Sequence, residues 1–272
     1  MEQSHGVRLG WYGKIAVLTL DRPEQRNALD VLMWDSFDLA LDEVEAAHAR
    51  AVIITGAGDK AFCAGMDVNP TNPLIAGVIE AVQTHDTGPV TTMLERLLRT
   101  LRRFAALKAP TIAALNGLAF GGGAELAVQA DLRVMDPSAV VCFSEVRLGL
   151  MPDLGGGVAL TRLLGPSRAA DLILTGRKVG AVEALSLGLV NRVSAPGQVM
   201  DEAMTLAEAI AANGPGAVRS ALEVIRATPQ SKGGEAMAME FERAVALIAS
   251  GECVHGIGAF LSRTSPMFPD LT

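Results

Sequence analysis

No run of apolar residues in this chain is long enough to span a bilayer, and the start, Met1-Glu-Gln-Ser-His-Gly6, lacks the basic and apolar regions of a signal peptide. A cytoplasmic location is expected. Cysteine is scarce: Cys63, Cys142 and Cys253 are odd in number, far apart and set among apolar or small residues, which points to neither a disulfide framework nor a metal motif. They read as buried thiols, and no metal is expected. Positive charge is also short. A formal net charge of −7 leaves no basic field for nucleic acid, so an anionic ligand must find a local cluster of cations. No G-x-G-x-x-G follows a strand with an acidic residue at the right distance, which disfavours a nicotinamide enzyme. The absence of G-x-S-x-G disfavours serine hydrolysis.

What is present is a globular composition. Half of the 272 residues are hydrophobic and 19% are charged, enough for a sizeable core and too apolar for extensive disorder. The most informative stretch runs from Leu118 to Pro152. The apolar run Thr111-Ile-Ala-Ala-Leu-Asn-Gly117 reads as a buried strand closed by an Asn-Gly turn, after which Gly121, Gly122 and Gly123 allow close approach of a ligand to the backbone. Ala124 to Ala130 is good helix-forming sequence, so the glycines open a helix whose free N–H groups favour negative charge. Glu125 falls in its first turn, and Glu145 follows the apolar run Ala139 to Phe143. Taken singly, each glutamate is a solvated carboxylate or a helix-dipole partner. Together, two carboxylates and free N–H donors in an apolar setting are what proton transfer beside a carbonyl requires.

The rest of the chain follows an α/β order. Lys14 to Leu20 is strand-like, Asp21 to Asn27 breaks it, and Asp30 caps a helix reaching about His48. A second strand, Ala51 to Gly56, leads to a glycine-bearing loop at Ala61 to Asp67. After a short apolar helix, Val90 to Leu107 is a helix with Arg96, Arg99, Arg102 and Arg103 on one side, a solvated face or a subunit interface. Asp153-Leu-Gly-Gly-Gly157 opens another helix. From Pro196 the sequence turns alanine-rich and helical (about 198–212, 215–227, 234–249 and 253–261), which sets an expected boundary between residues 1–195 and a helical domain at 196–272.

In this order, Asp21-Arg-Pro-(x3)-Asn27-Ala-Leu29, Ala61-Phe-Cys-Ala-Gly-Met-Asp67, Ala109 to Gly117, Gly121-Gly-Gly-Ala-Glu-Leu126, Ala130-Asp-Leu-Arg133, Phe143-Ser-Glu145-(x3)-Gly149, Leu174-Thr-Gly176 and Ala184-(x3)-Gly188-Leu-Val190 resemble the crotonase superfamily, the enoyl-CoA hydratases and isomerases, over nearly the whole chain. The resemblance implies an α/β fold made of a spiral of ββα units with a helical C-terminal region, trimers that often pair into hexamers, and an acyl-coenzyme A thioester as substrate. No separate cofactor is implied, since coenzyme A belongs to the substrate.

Carried over position by position, the resemblance puts the oxyanion hole on the backbone N–H groups of Met66 and Gly122 and the hydratase carboxylates on Glu125 and Glu145. The pair would hold a water for attack at C3, and Glu145 would deliver a proton to C2. Ala64, with Gly65, Asp67 and Gly121, would line the substrate, while Arg26, Lys60 and Lys108 are candidates for the coenzyme A phosphates. Ser144 stands where the family most often has proline, and Asp153 resembles the proton-abstracting aspartate of dienoyl-CoA isomerases. Ala259 to Pro266 lacks the family's usual lysines. Hydratase is the leading reading, isomerase through Glu145 and Asp153 the second, and a catalytically silent acyl-CoA-binding protein the third.

Overall fold

The computed structural model describes residues 6–271; most of the Met1 to Gly6 start considered above, and Thr272, lie outside them. The chain begins with an antiparallel pair, β1 (Gly6–Tyr12) and β2 (Ile15–Asp21), closed at Gly13 in the left-handed region. Asp30 then caps α1 (Val31–Ala46), its side chain accepting the Met33 N–H as the sequence pattern indicates. From here a repeating course sets in. β3 (Ala51–Gly56) is followed by β4 (Ala61–Cys63), α2 (Pro73–Thr84) and α3 (Gly88–Ala105); β5 (Thr111–Leu115) by β6 (Leu118–Phe120) and α4 (Gly122–Gln129); β7 (Leu132–Met135) by β8 (Val140–Cys142), α5 (Gly156–Leu164) and α6 (Pro166–Thr175). Each pass gives its first strand to one sheet and its second to another, then crosses back through helix. With β9 (Val179–Gly180), α7 (Ala181–Leu187) and β10 (Arg192–Val193) added, the larger sheet has the order β1-β2-β3-β5-β7-β10 and the smaller β4-β6-β8-β9. This is the expected spiral of ββα units.

The larger sheet is covered on both faces. On one, Leu18, Leu20, Val52, Ile54, Ala113 and Leu115 pack into the main core with Met33, Trp34, Phe37 and Leu41 of α1 and Leu126 of α4. On the other, Ile15, Val17, Ile53, Ile112 and Val134 meet Val199, Ala203 and Ala207 of α8 (Val199–Ala211). Burial on two sides explains why β3 and β5 show no apolar/polar alternation: every residue in both is buried. The arginine face of α3 is divided between α1 and solvent. Arg96 pairs with Asp35, and Arg103 with Asp38 at 3.0 Å and Glu45 at 3.4 Å, all along α1, while Arg99 and Arg102 stay exposed.

Beyond α8, α9 (Pro215–Ala227) is fastened to the core by Arg226, whose guanidinium donates to both Asp131 oxygens at 2.7 and 2.6 Å. After it come α10 (Glu235–Ser250) and α11 (Glu252–Ser262), which bury no residue within this chain. Met237, Phe241, Val245 and Ile248 form an exposed stripe on α10, and Val254, Ile257 and Phe260 continue it on α11. Among the described residues no single helix is long and apolar enough to cross a membrane.

Candidate active site

The site forms where the parallel strands β4 and β6 end side by side. Beyond β4 the chain reaches Gly65, with φ at +91°, where a Cβ would stand 2.7 Å from the Phe120 carbonyl oxygen and 3.1 Å from the Gly122 nitrogen. Only glycine fits both the conformation and the contact. The same closeness puts the Met66 nitrogen 3.7 Å from the Cβ position of Gly122. Leu29 bonds to the residues on either side of Met66, donating to the Gly65 carbonyl at 2.8 Å and accepting from Asp67 at 3.0 Å, so the Met66 N–H faces away from it. Gly122 is the first residue of α4 and has no preceding turn to donate to. Two neighbouring backbone donors are therefore left free of helix and sheet.

Glu125 lies one turn into α4 and is 1% exposed. Its carboxylate is held by the start of the α5 segment rather than by its own helix. Oε2 accepts the Leu154 N–H at 2.9 Å and the Gly156 N–H at 2.7 Å, and Oε1 the Asp153 N–H at 3.3 Å. A Cβ on Gly156 would fall 2.3 Å from Glu125 Cγ, so that glycine makes room for the carboxylate. These donors escaped the sequence reading, in which Asp153 to Gly157 was only a helix start. The signal was the glycine trio itself, which a plain helix start does not need.

Glu145 opens a single 3-10 turn, Glu145–Leu148, at the end of β8. It is buried, and neither carboxylate oxygen has a hydrogen-bond partner. Oε1 is 3.8 Å from where a Gly121 Cβ would stand, which places it beside the glycine loop. Ser144 occupies the usual proline position with a helical backbone (φ −92°, ψ −2°), and Glu145 is buried all the same.

Burial raises the pKa of both glutamates. For Glu125 the rise is opposed by the Gly156 N–H and reinforced by the charges of Glu145 and Asp153. For Glu145 it is eased by its own backbone N–H and by Glu125, and reinforced by Asp153. Three N–H donors hold Glu125 and none in bonding geometry holds Glu145, yet burial still pushes Glu125 up to about 8 and raises Glu145 as well, so the pair retains a proton that the two carboxyls share. Asp153 is open to solvent on one side, yet desolvation by the surrounding protein raises it too.

The remaining sequence candidates divide. Ala64, Gly65 and Gly121 border the two free N–H groups. Arg26 is exposed in the left-handed region and its carbonyl accepts the Ala64 N–H at 3.0 Å; Lys60 is exposed and its carbonyl accepts from Leu118 at 3.2 Å. Both cations thus flank the glycine loops. Asp67 faces protein: Oδ2 accepts from Arg22 at 3.0 Å and Oδ1 from the Asn69 N–H at 3.0 Å. Lys108 is not brought to the others. It precedes β5, whereas the site follows that strand's far end, and it lines a separate groove of about 340 Å³ with Arg50, Arg219 and Asp270.

The profile of the enoyl-CoA hydratase/isomerase family matches residues 10–270. A short-chain-enoyl-CoA hydratase of Clostridium acetobutylicum is 37% identical over 242 residues, covering 89% of this chain and 86% of that protein. Carnitinyl-CoA dehydratase of Escherichia coli K12 is 35% identical over 253 residues, 93% of this chain and 89% of that protein. Among solved structures, an enoyl-CoA hydratase from Bacillus anthracis superposes with a TM-score of 0.88 at 32% identity, covering 98% of this chain and all of the other.

Proposed function

The chain belongs to the enoyl-CoA hydratase/isomerase family, and from that premise we propose that it hydrates a 2-enoyl-CoA thioester. The observation that carries this reading is the unequal pair of buried glutamates, one gripped by three N–H donors and one without any, beside two free backbone donors. The N–H groups of Met66 and Gly122 bind the thioester oxygen and stabilise the enolate that forms as C3 is attacked. In comparable sites each such donor contributes roughly 3–4 kcal/mol to the transition state. Glu125 takes a proton from water as the water oxygen bonds to C3. The enolate then collapses and C2 takes the proton of Glu145, so that H and OH have been added across the double bond. Passage of the proton from Glu125 to Glu145 restores the starting state. Ala64 and its neighbours border the coenzyme, with Arg26 and Lys60 placed for its phosphates.

Asp153 favours a second reading, isomerisation of a dienoyl-CoA. Its backbone touches Glu125 and its carboxyl has a raised pKa, so it could exchange protons with Glu145 across a substrate. Incubation with crotonyl-CoA and with a 3,5-dienoyl-CoA, followed by mass and absorbance, separates these. A product heavier by one water from crotonyl-CoA supports hydration. Binding of crotonyl-CoA with no turnover, alongside an isomerised dienoyl product of unchanged mass, would hand the assignment to the second reading.

A further inference from the structure

Among the predicted substrate contacts, Asp67 is a carboxylate that would have to approach an anionic coenzyme. Both of its oxygens are already engaged, and by protein. Its partner Arg22 is a residue to which the sequence reading gave no role. The guanidinium Nη1 donates to the Ala28 carbonyl at 2.8 Å and to Asp67 Oδ2 at 3.0 Å, and lies 3.3 Å from Asp30 Oδ2. The three side chains are only 12%, 16% and 18% exposed in the order Arg22, Asp67, Asp30. Asp30 is also the cap of α1, so Arg22 ties Asp67 to the first turn of a core helix.

This clamp acts on the peptide that follows Met66. Gly65, on one side of Met66, is a swivel with φ at +91°. On the other side Val68, Asn69 and Pro70 are exposed loop. Between swivel and loop the backbone is held by the bridge to Leu29 and, one residue on, by the Asn72 side chain, which donates to the Asp67 carbonyl at 2.6 Å. The side chain of Asp67 adds a further attachment, the one that joins this segment to α1 through Arg22. One cation between two carboxylates also makes the arrangement depend on Arg22, because Asp30 and Asp67 repel one another without it.

We propose that Arg22 and Asp67 are positioning residues that aim the Met66 N–H at the thioester oxygen, and that Asp67 is not a coenzyme A ligand. The proposal builds on the oxyanion role given to Met66 above. It is tested on the whole protein with three probes: crotonyl-CoA for turnover, free coenzyme A for nucleotide binding without a thioester carbonyl, and acetoacetyl-CoA, whose enolate has its own ultraviolet absorbance and is favoured by an intact oxyanion hole. Asp67→Ala should lower kcat about 10- to 100-fold, the scale of a displaced rather than a deleted donor, with a parallel loss of enolate from bound acetoacetyl-CoA. Its affinity for free coenzyme A should stay within about twofold of wild type, since none of that contact is altered. Asp67→Asn keeps an oxygen for Arg22 and should recover part of the loss, as should Arg22→Lys relative to Arg22→Met. If Asp67→Ala does not fold, Asp67→Asn and Arg22→Lys carry the comparison through their intermediate enolate signals.

The proposal is overturned if Asp67→Ala weakens free coenzyme A about tenfold at unchanged kcat, which would make Asp67 a ligand after all. It is equally overturned if Asp67→Asn and Arg22→Lys both leave kcat and the enolate absorbance at wild-type values. A wild-type protein that produces no enolate from acetoacetyl-CoA would instead sink the oxyanion reading itself, and this proposal with it.

Discussion

Replacing Glu145 by glutamine should make the protein less active and, at alkaline pH, more stable. Neither oxygen of this buried carboxylate has a bonding partner, so its charged form is held at a cost that the neighbouring charge of Asp153 increases. A carboxyl whose folded pKa is raised binds its proton more tightly in the folded than in the unfolded chain. Its contribution to stability is therefore complete below the ordinary glutamate value of 4.5 and is lost as pH rises through the raised one. Glutamine carries no charge at any pH and removes that loss, although its amide is also short of partners. A buried group without a partner costs about 1–3 kcal/mol, more when charged, so the net gain at high pH is on the order of 1–2 kcal/mol. For a chain of this size that is roughly 2–8 °C in apparent Tm. Thermal unfolding of the ligand-free protein should give nearly equal Tm values at about pH 5 and a higher one for Glu145→Gln at about pH 8.5. Hydration by the same variant should fall about 10²- to 10⁴-fold in kcat, the loss expected for a general acid. A Tm difference that does not change with pH, or a variant that keeps its turnover, would refute the reasoning.

Glu125→Gln should also lower kcat by about 10²- to 10⁴-fold while acyl-CoA binding survives, as single-turnover and calorimetric measurements would show. Gly156→Ala drives a methyl group into Glu125 Cγ and should cost about 1–3 kcal/mol of stability with about a 10²-fold loss of kcat. Gly157→Ala is its control: the new Cβ meets Pro152 and Ile173 at ordinary distances of 3.6 and 3.9 Å, so denaturation and activity should both stay near wild type. Asp153→Asn should leave hydration mostly intact and abolish any conversion of 3,5-dienoyl-CoA, so loss of all turnover would favour the isomerase. The apolar stripe on α10 and α11 needs a covering surface, and we expect a trimer or hexamer by light scattering, with Phe241→Asp dissociating it; a stable wild-type monomer of 28.4 kDa would contradict this.

What sequence could show here was whatever is written in neighbouring residues. Asp30 announces α1 through a local cap, Pro215 to Ala227 is bounded by its own proline and threonine-proline, and Ala51 to Ile54 is apolar from end to end. β4, β6 and β8 are three residues each, too short for any period, and their union into a second sheet follows only from the spiral. Lys108 lines a different groove from the other phosphate candidates for a geometric reason. The strand after it rises roughly 3.3 Å per residue over Thr111–Leu115, and so separates what the sequence places nearly side by side.

The difference between the two glutamates was hidden in another way. As side chains they are the same, and in the sequence each simply closes or opens an element. In the proposed hydration they act as base and acid because the donors that hold Glu125 come from Asp153, Leu154 and Gly156, 28 to 31 residues further along, while no donor in bonding geometry reaches Glu145. Local reading of Ala124 to Val128 shows only the donors of α4 itself. Those N–H groups are the ones a thioester oxygen needs. A helix start can hold a carboxylate or stabilise an enolate, and this fold supplies two of them, so α5 grips Glu125 and, in the proposed mechanism, α4 is left free to receive the substrate.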